Sequence, residues 1–138
     1  MKKFDERSRQ TLAEVEAVLS SPKGGWLYAV VAPEVRRVKI GWARDVEARV
    51  RPFQTASPSS LALHSATLHG DVRAAEREAH KELEDAHVLG EWFDLRDPQV
   101  DQWLARRETD VPMNSLYDRY LAAKGKDPFG PPLIMGEG

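Results

Sequence analysis

Across residues 6–20, Leu12, Val15, Val18 and Leu19 recur at helical spacing with charged residues between them, which predicts an amphipathic N-terminal helix. Ser20-Ser21-Pro22-Lys23-Gly24-Gly25 closes it. The period then changes. Residues 26–32 form an apolar run holding Tyr28, Val30 and Val31, and residues 35–41 carry the β-branched Val35, Val38 and Ile40 just beyond Pro33-Glu34. Two strands joined by a short turn, a hairpin, are expected here. Asp45 is placed to cap a helix running to about Arg51, ended by Pro52 and a loop over 55–60. Residues 61–68 read as a third strand, followed by a loop at His69-Gly70. Asp71 then caps a helix to about Asp85, in which Val72, Ala75, Ala79, Leu83 and Ala86 recur every three or four residues as a core-facing stripe. A short apolar element spans 90–95. Asp97-Pro98 opens a helix with proline at its first position, leading into Val100, Trp103 and Leu104, and a further short helix is expected over 115–123. From Gly125, the run Gly-Lys-Asp-Pro-Phe-Gly-Pro-Pro is too rich in breakers for regular structure, so an irregular or disordered tail is expected.

The central order is strand, strand, helix, strand, helix. The expected fold class is therefore α+β, a small three-stranded antiparallel sheet flanked by helices, with an added N-terminal helix and C-terminal helices. The chain divides into a helix and linker over 1–24, a core over 25–96, a helical extension over 97–124 and a tail over 125–138. Its 138 residues suit one domain with short appendages. The absence of cysteine excludes a disulfide framework, a thiolate zinc site and a cysteine nucleophile. Residues 1–10 are charged where a signal peptide would be apolar, and no segment approaches the roughly 20 apolar residues that span a bilayer. A cytoplasmic protein without a membrane partner is expected.

Net charge is −2, which argues against a uniformly basic, phosphate-binding surface. Its distribution changes that picture. Residues 34–54 hold six basic residues (Arg36, Arg37, Lys39, Arg44, Arg49, Arg51) against three acidic ones, so this stretch is a candidate basic face. Residues 71–101 hold ten acidic residues against four basic ones, a balance that suits solvent or a metal better than phosphate.

Three segments carry candidate chemistry: Gly25-Trp26-Leu27-Tyr28; Val38-Lys39-Ile40-Gly41; and Glu76-Arg77-Glu78-Ala79-His80 ahead of Gly90-Glu91-Trp92-Phe93. Arg49, Gln54-Thr55 and Pro58 lie between them. In order and spacing these resemble the GIY-YIG endonuclease superfamily, in particular its short, phage-associated branch, which pairs a lysine-containing second motif with a downstream Gly-Glu-Trp-Phe. The resemblance covers about residues 25–95. It departs from the family pattern at Trp26, which stands where the middle glycine is usual, and at Ala43, which stands where a serine is common.

The resemblance implies a GIY-YIG-like core that hydrolyses DNA phosphodiester bonds at one divalent metal, magnesium or manganese, held by Glu76. A hard cation of this kind keeps several waters and often uses only one or two protein carboxylates. Read without the resemblance, Glu76 is an ordinary solvated helix carboxylate. Tyr28 is implied as general base or as a group orienting the nucleophile. Because a free tyrosine has a pKa of about 10, Lys39, standing where the best-known members carry a second tyrosine, is expected to favour the phenolate. The plainer readings are a core tyrosine and a strand lysine pointing to water. Arg49 is expected to present its guanidinium to the phosphate, with a surface arginine as the alternative. His80, four residues after Glu76 on the same helix face, either assists a metal-bound water or buttresses Glu76. Arg36, Arg37, Arg44 and Arg51 are the candidate nucleic-acid contacts. Trp92 and Phe93 are expected as core anchors and Glu91 as a structural acceptor.

Two further readings compete. The same fold could bind nucleic acid or a protein with little or no cleavage, or the chain could be a small regulator that docks on a protein partner through its N-terminal helix and C-terminal extension.

Overall fold

In the computed structural model, which describes residues 2–56, 60–110 and 115–125, β1 (Gly25–Ala32) and β2 (Arg37–Ala43) pair antiparallel, with Tyr28 opposite Gly41 and Val30 opposite Lys39. A turn of 3-10 helix (Pro33–Val35) joins them, and Arg36 completes the turn in the left-handed region at φ 56°. On the other side of β1 lies β3 (Ala62–His69), also antiparallel. Beyond β2 come β5 (Trp92–Asp94) and then β4 (His87–Leu89), so the sheet is five-stranded and antiparallel in the order β3-β1-β2-β5-β4.

The fold class is α+β, but the expected three-stranded sheet is corrected to five strands. The missed pair are three residues each, too short to show a period of two, and Gly90 reverses the chain between them at φ 57°. What reads in sequence as one apolar element is the second half of a hairpin.

Alternation along β1 and β2 divides the core. Leu27, Ala29, Val38 and Ile40 face one side, where Val72, Ala79 and Leu83 from α3 (Val72–Glu82) and its C-terminal end meet Val100, Trp103 and Leu104 of α4 (Pro98–Asp110). Trp26, Tyr28, Val30 and Ala43 face the other, against Val15 of α1 (Lys2–Leu19), Val46 of α2 (Val46–Ala56), and Tyr117 and Tyr120 of α5 (Leu116–Ala123). Both faces of the central hairpin are therefore dry. Trp26, the residue that departs from the glycine pattern, fills the second layer: its ring meets Tyr117 edge-on at 4.9 Å and Tyr120 at 5.7 Å. Such a pair contributes about 0.5–1.5 kcal/mol beyond the area it buries. The added helices and the tryptophan are one packing unit.

Helix starts follow their caps. The Asp71 carboxylate accepts from the Ala74 N–H, the Asp97 carboxylate from the Gln99 N–H, and the Ser115 hydroxyl from the Asp118 N–H. The expected stop of α2 at Pro52 is corrected, since the helix continues to Ala56. Pro52 and Ala48 are both exposed, so the Ala48 carbonyl that proline leaves without an N–H can be hydrated. Of the expected tail over 125–138, residues 126–138 lie outside the described residues, as do the loop residues 57–59 with Pro58. No described helix is long and apolar enough to cross a membrane.

Candidate functional site

The candidate chemistry collects where β5 parts from β2. The two strands pair from Arg37–Asp94 to Lys39–Trp92, and the Ile40 N–H still donates to the Glu91 carbonyl at 2.9 Å. The chain then turns through Gly90 into β4. The Ile40 carbonyl instead accepts from His80 Nε2 on α3 at 2.8 Å. Because a carbonyl can only accept, that ring nitrogen carries the proton. The contact fixes α3 against the opening, and Glu76, one turn earlier on the same helix face, is brought to it.

Gly41 makes the space. A methyl group built on it would stand 2.6 Å from Glu91 Oε1, 2.7 Å from Tyr28 Oη and 3.0 Å from Tyr28 Cζ. The phenol of β1 thus lies across a glycine of β2, with the Glu91 carboxylate on the same side at the end of the β5 ladder.

Lys39 lies two residues back on the same face of β2, and its Nζ is 3.0 Å from Glu91 Oε1. That ammonium also sits 4.4 Å from the Phe53 ring centre and 5.6 Å from the Trp92 ring centre. Two aromatic rings and one carboxylate compensate a lysine that is only 9% exposed.

Three buried polar atoms here have no aligned hydrogen bond among the described residues, Tyr28 Oη, Glu76 Oε2 and Glu91 Oε1, the last of them ion-paired with Lys39. Burial pushes the Tyr28 pKa above its usual value, and the negative charges of Glu91 and Glu76 act the same way, while the Arg49 guanidinium beside the phenol pulls down without prevailing. The expectation that Lys39 would favour the phenolate is therefore corrected, because the lysine charge is matched by Glu91 before it can act on the phenol. The Glu76 pKa is also raised, first by burial and then by Glu91, with His80 and Arg49 opposing. The charge of Glu91 is held close enough to disfavour ionisation of Glu76.

Tyr28, Lys39, Arg49, Glu76 and His80 thus come together, with Arg49 on the exposed side. Glu91 is the member that sequence reasoning placed outside the site. The signal for it was Lys39 itself: a lysine in a strand apolar on both faces requires a buried counter-charge, and the adjoining Gly-Glu-Trp-Phe supplies one.

Other expected contacts lie elsewhere. Arg36 and Arg37 stand at the far end of the hairpin, about 13 Å of strand from Gly41. Arg44 donates to the carbonyls of Ser21 at 3.3 Å and Pro22 at 2.7 Å. Arg51 pairs with Glu47 at 2.9 Å. His64 bonds Ser65, His69 bonds Thr67 and His87 bonds the Gly90 carbonyl, so none of the three enters the site.

Among the described residues no group of three or more His, Asp or Glu side chains is arranged to hold a metal ion. Glu76 and Glu91 nevertheless fit a hard divalent cation. They offer oxygen donors, one buried atom of each lacking an aligned hydrogen bond, and a cation would offset the Glu91 charge that acts on Glu76.

The model of the T5orf172 domain family matches residues 25–108, more than half of the chain, and the chain belongs to that family. This corrects the assignment drawn from the short motifs: the family that matches is T5orf172 and not GIY-YIG. No curated protein and no solved structure matches the chain.

Proposed function

We propose that this member of the T5orf172 family is a metal-dependent DNA endonuclease whose reacting centre is the Gly41 opening. The observation that carries the reading is the convergence there of two carboxylates, a buried phenol and a lysine, with Tyr28 Oη and Glu76 Oε2 lacking an aligned hydrogen bond among the described residues. A buried polar atom left unpaired costs about 1–3 kcal/mol, and structures retain that cost where a ligand repays it.

Glu76 and Glu91 are the residues that would hold magnesium or manganese, which would supply Lewis-acid polarisation of a phosphoryl oxygen and a more acidic water. Lys39 fixes Glu91 and leaves Glu76 as the freer carboxylate. A phenol is protonated at neutral pH at its ordinary pKa of about 10, and burial favours that form further, so Tyr28 acts as a hydrogen-bond donor that orients phosphate or water, and not as a general base. Arg49, exposed at the rim, offers two parallel N–H donors to the phosphate as charge builds on its oxygens. His80 is committed by its Nε2 proton to Ile40, and it serves the site by positioning α3 and Glu76.

A second reading, DNA binding without cleavage, is favoured by one observation, the complete burial of Tyr28. One assay separates the two. Labelled single-stranded, nicked, branched and duplex DNA is incubated with magnesium, manganese or chelator, using the full chain and Glu76→Gln. The expected result is metal-dependent cleavage that falls at least about 100-fold in Glu76→Gln, the equivalent of about 2.7 kcal/mol of transition-state stabilisation. Equal cleavage by both proteins removes Glu76 from the mechanism, and binding with no cleavage of any substrate establishes the second reading.

A further inference from the structure

Trp42 follows Gly41 on β2 and points to the opposite face, where its ring rests against Gly25 and the first turn of α3. A methyl group on Gly25 would stand 3.2 Å from Trp42 Cε3 and 2.9 Å from Val72 Cγ1. Two guanidiniums sit over this ring: that of Arg73 is 5.2 Å from its centre and that of Arg44 is 6.0 Å away. Both arginines are exposed, and neither forms an ion pair among the described residues. What sets them apart is the shared aromatic ring, since Arg51, Arg96 and Arg106 each hold a carboxylate instead. The Arg44 guanidinium is also held by the carbonyls of Ser21 and Pro22, whereas that of Arg73 has no hydrogen bond or ion pair among the described residues and keeps its donors for an anion.

The cluster adjoins the opening. Arg73 precedes Glu76 by three residues on α3, about 4.5 Å of helix rise on the same side, and Trp42 is the neighbour of Gly41. Consecutive phosphates of one strand are near neighbours along the duplex axis, so an arginine one helical turn from Glu76 is placed for a phosphate next to the one at the opening. The Trp42 ring is occupied by the guanidiniums that lie over it, which makes it a platform for them and not for a base.

We propose that Arg73 and Arg44, held over Trp42, bind the backbone phosphates one or two nucleotides from the bond at the Gly41 opening, so that the nucleic-acid strand enters along the first turn of α3. This rests on the proposed function for its ligand. It differs from the sequence expectation, which placed nucleic-acid contact on Arg36, Arg37, Arg44 and Arg51 and left out Arg73 and Trp42. Contact through phosphate alone also means binding that is indifferent to base sequence.

The test is fluorescence anisotropy of the full chain with a labelled DNA duplex in chelator, from 50 to 200 mM salt, so that no cleavage intervenes. Arg73→Gln is the clean variant, because its guanidinium lies over the Trp42 ring with no hydrogen bond or ion pair among the described residues. It should weaken binding several-fold at 100 mM salt and reduce the slope of log affinity against log salt by about 0.9. Arg73→Lys should fall between, keeping the charge and losing the planar fork. Arg106→Gln, whose guanidinium is already paired with Glu82, should bind as wild type does. Wild-type binding with an unchanged slope in Arg73→Gln overturns this subsite and leaves the proposed function standing. A wild-type chain that neither binds nor cleaves DNA overturns both.

Discussion

Tyr28 holds a hydroxyl in the core with no aligned partner, at a cost to the folded state of about 1–3 kcal/mol. Tyr28→Phe removes that atom and keeps the ring that lies across Gly41. Its stability in denaturant titration should therefore rise by about 1 kcal/mol while its cleavage rate falls, a split that a purely structural tyrosine would not produce. A variant that is both less stable and fully active contradicts the assignment. Gly41 carries the converse argument, since a methyl there meets Glu91 and Tyr28 oxygens at 2.6 and 2.7 Å. The phenol is enclosed and the carboxylate is tied to Lys39, so neither can retreat freely. Gly41→Ala should lose about 1–3 kcal/mol of stability, measured by chemical denaturation, together with cleavage. At this scale the sequence was legible through its motifs: Tyr28, Lys39, Arg49 and Glu76 could each be named. What it concealed was their coupling. Whether Lys39 acts on the phenol or on Glu91 depends on which atom stands 3.0 Å away, and spacing along the chain does not encode that.

Among the elements, those with a cap and a sustained period were readable, and those built from three residues were not. Asp71 and the stripe from Val72 to Leu83 identify α3 directly, and the side chain of Asp71 does cap it. The β4–β5 hairpin gave only an apolar trace, because His87–Leu89 is exposed throughout, with Leu89 at 72%, and offers no buried face to alternate against. Yet this hairpin delivers Glu91. Its turn depends on Gly90 at φ 57°, where a side chain would meet nothing but the backbone would be strained. Gly90→Ala should cost about 1 kcal/mol in denaturant titration. It should also lower cleavage more than that small loss of folded protein explains, since the turn sets where Glu91 begins. Retention of full activity with the expected loss of stability would show that Glu91 is positioned by Lys39 alone.

For the whole molecule, the layer formed by α1, α2 and α5 encloses Tyr28 and Tyr117 on one face of the sheet. The sequence foresaw the two outer helices but treated them as appendages, because only packing shows Trp26 lying between the sheet and the tyrosines of α5. Burial raises the pKa of both Tyr28 and Tyr117, helped at Tyr28 by Glu91 and at Tyr117 by Glu47 and Asp45. The folded chain therefore keeps both protons at a pH where the unfolded chain releases them. Below about pH 10 both states are protonated and these groups add no pH dependence. Above it the unfolded state binds fewer protons than the folded one, so stability falls as pH rises, by up to about 1.4 kcal/mol per pH unit for each tyrosine. Denaturant midpoints measured at pH 8, 9, 10 and 11 should be flat at first and then decline. Tyr117→Phe and Tyr28→Phe should each flatten the decline, and the double substitution should flatten it most. An alkaline limb of the same steepness in wild type and double variant would mean that the second layer opens and hydrates these phenols before the chain unfolds.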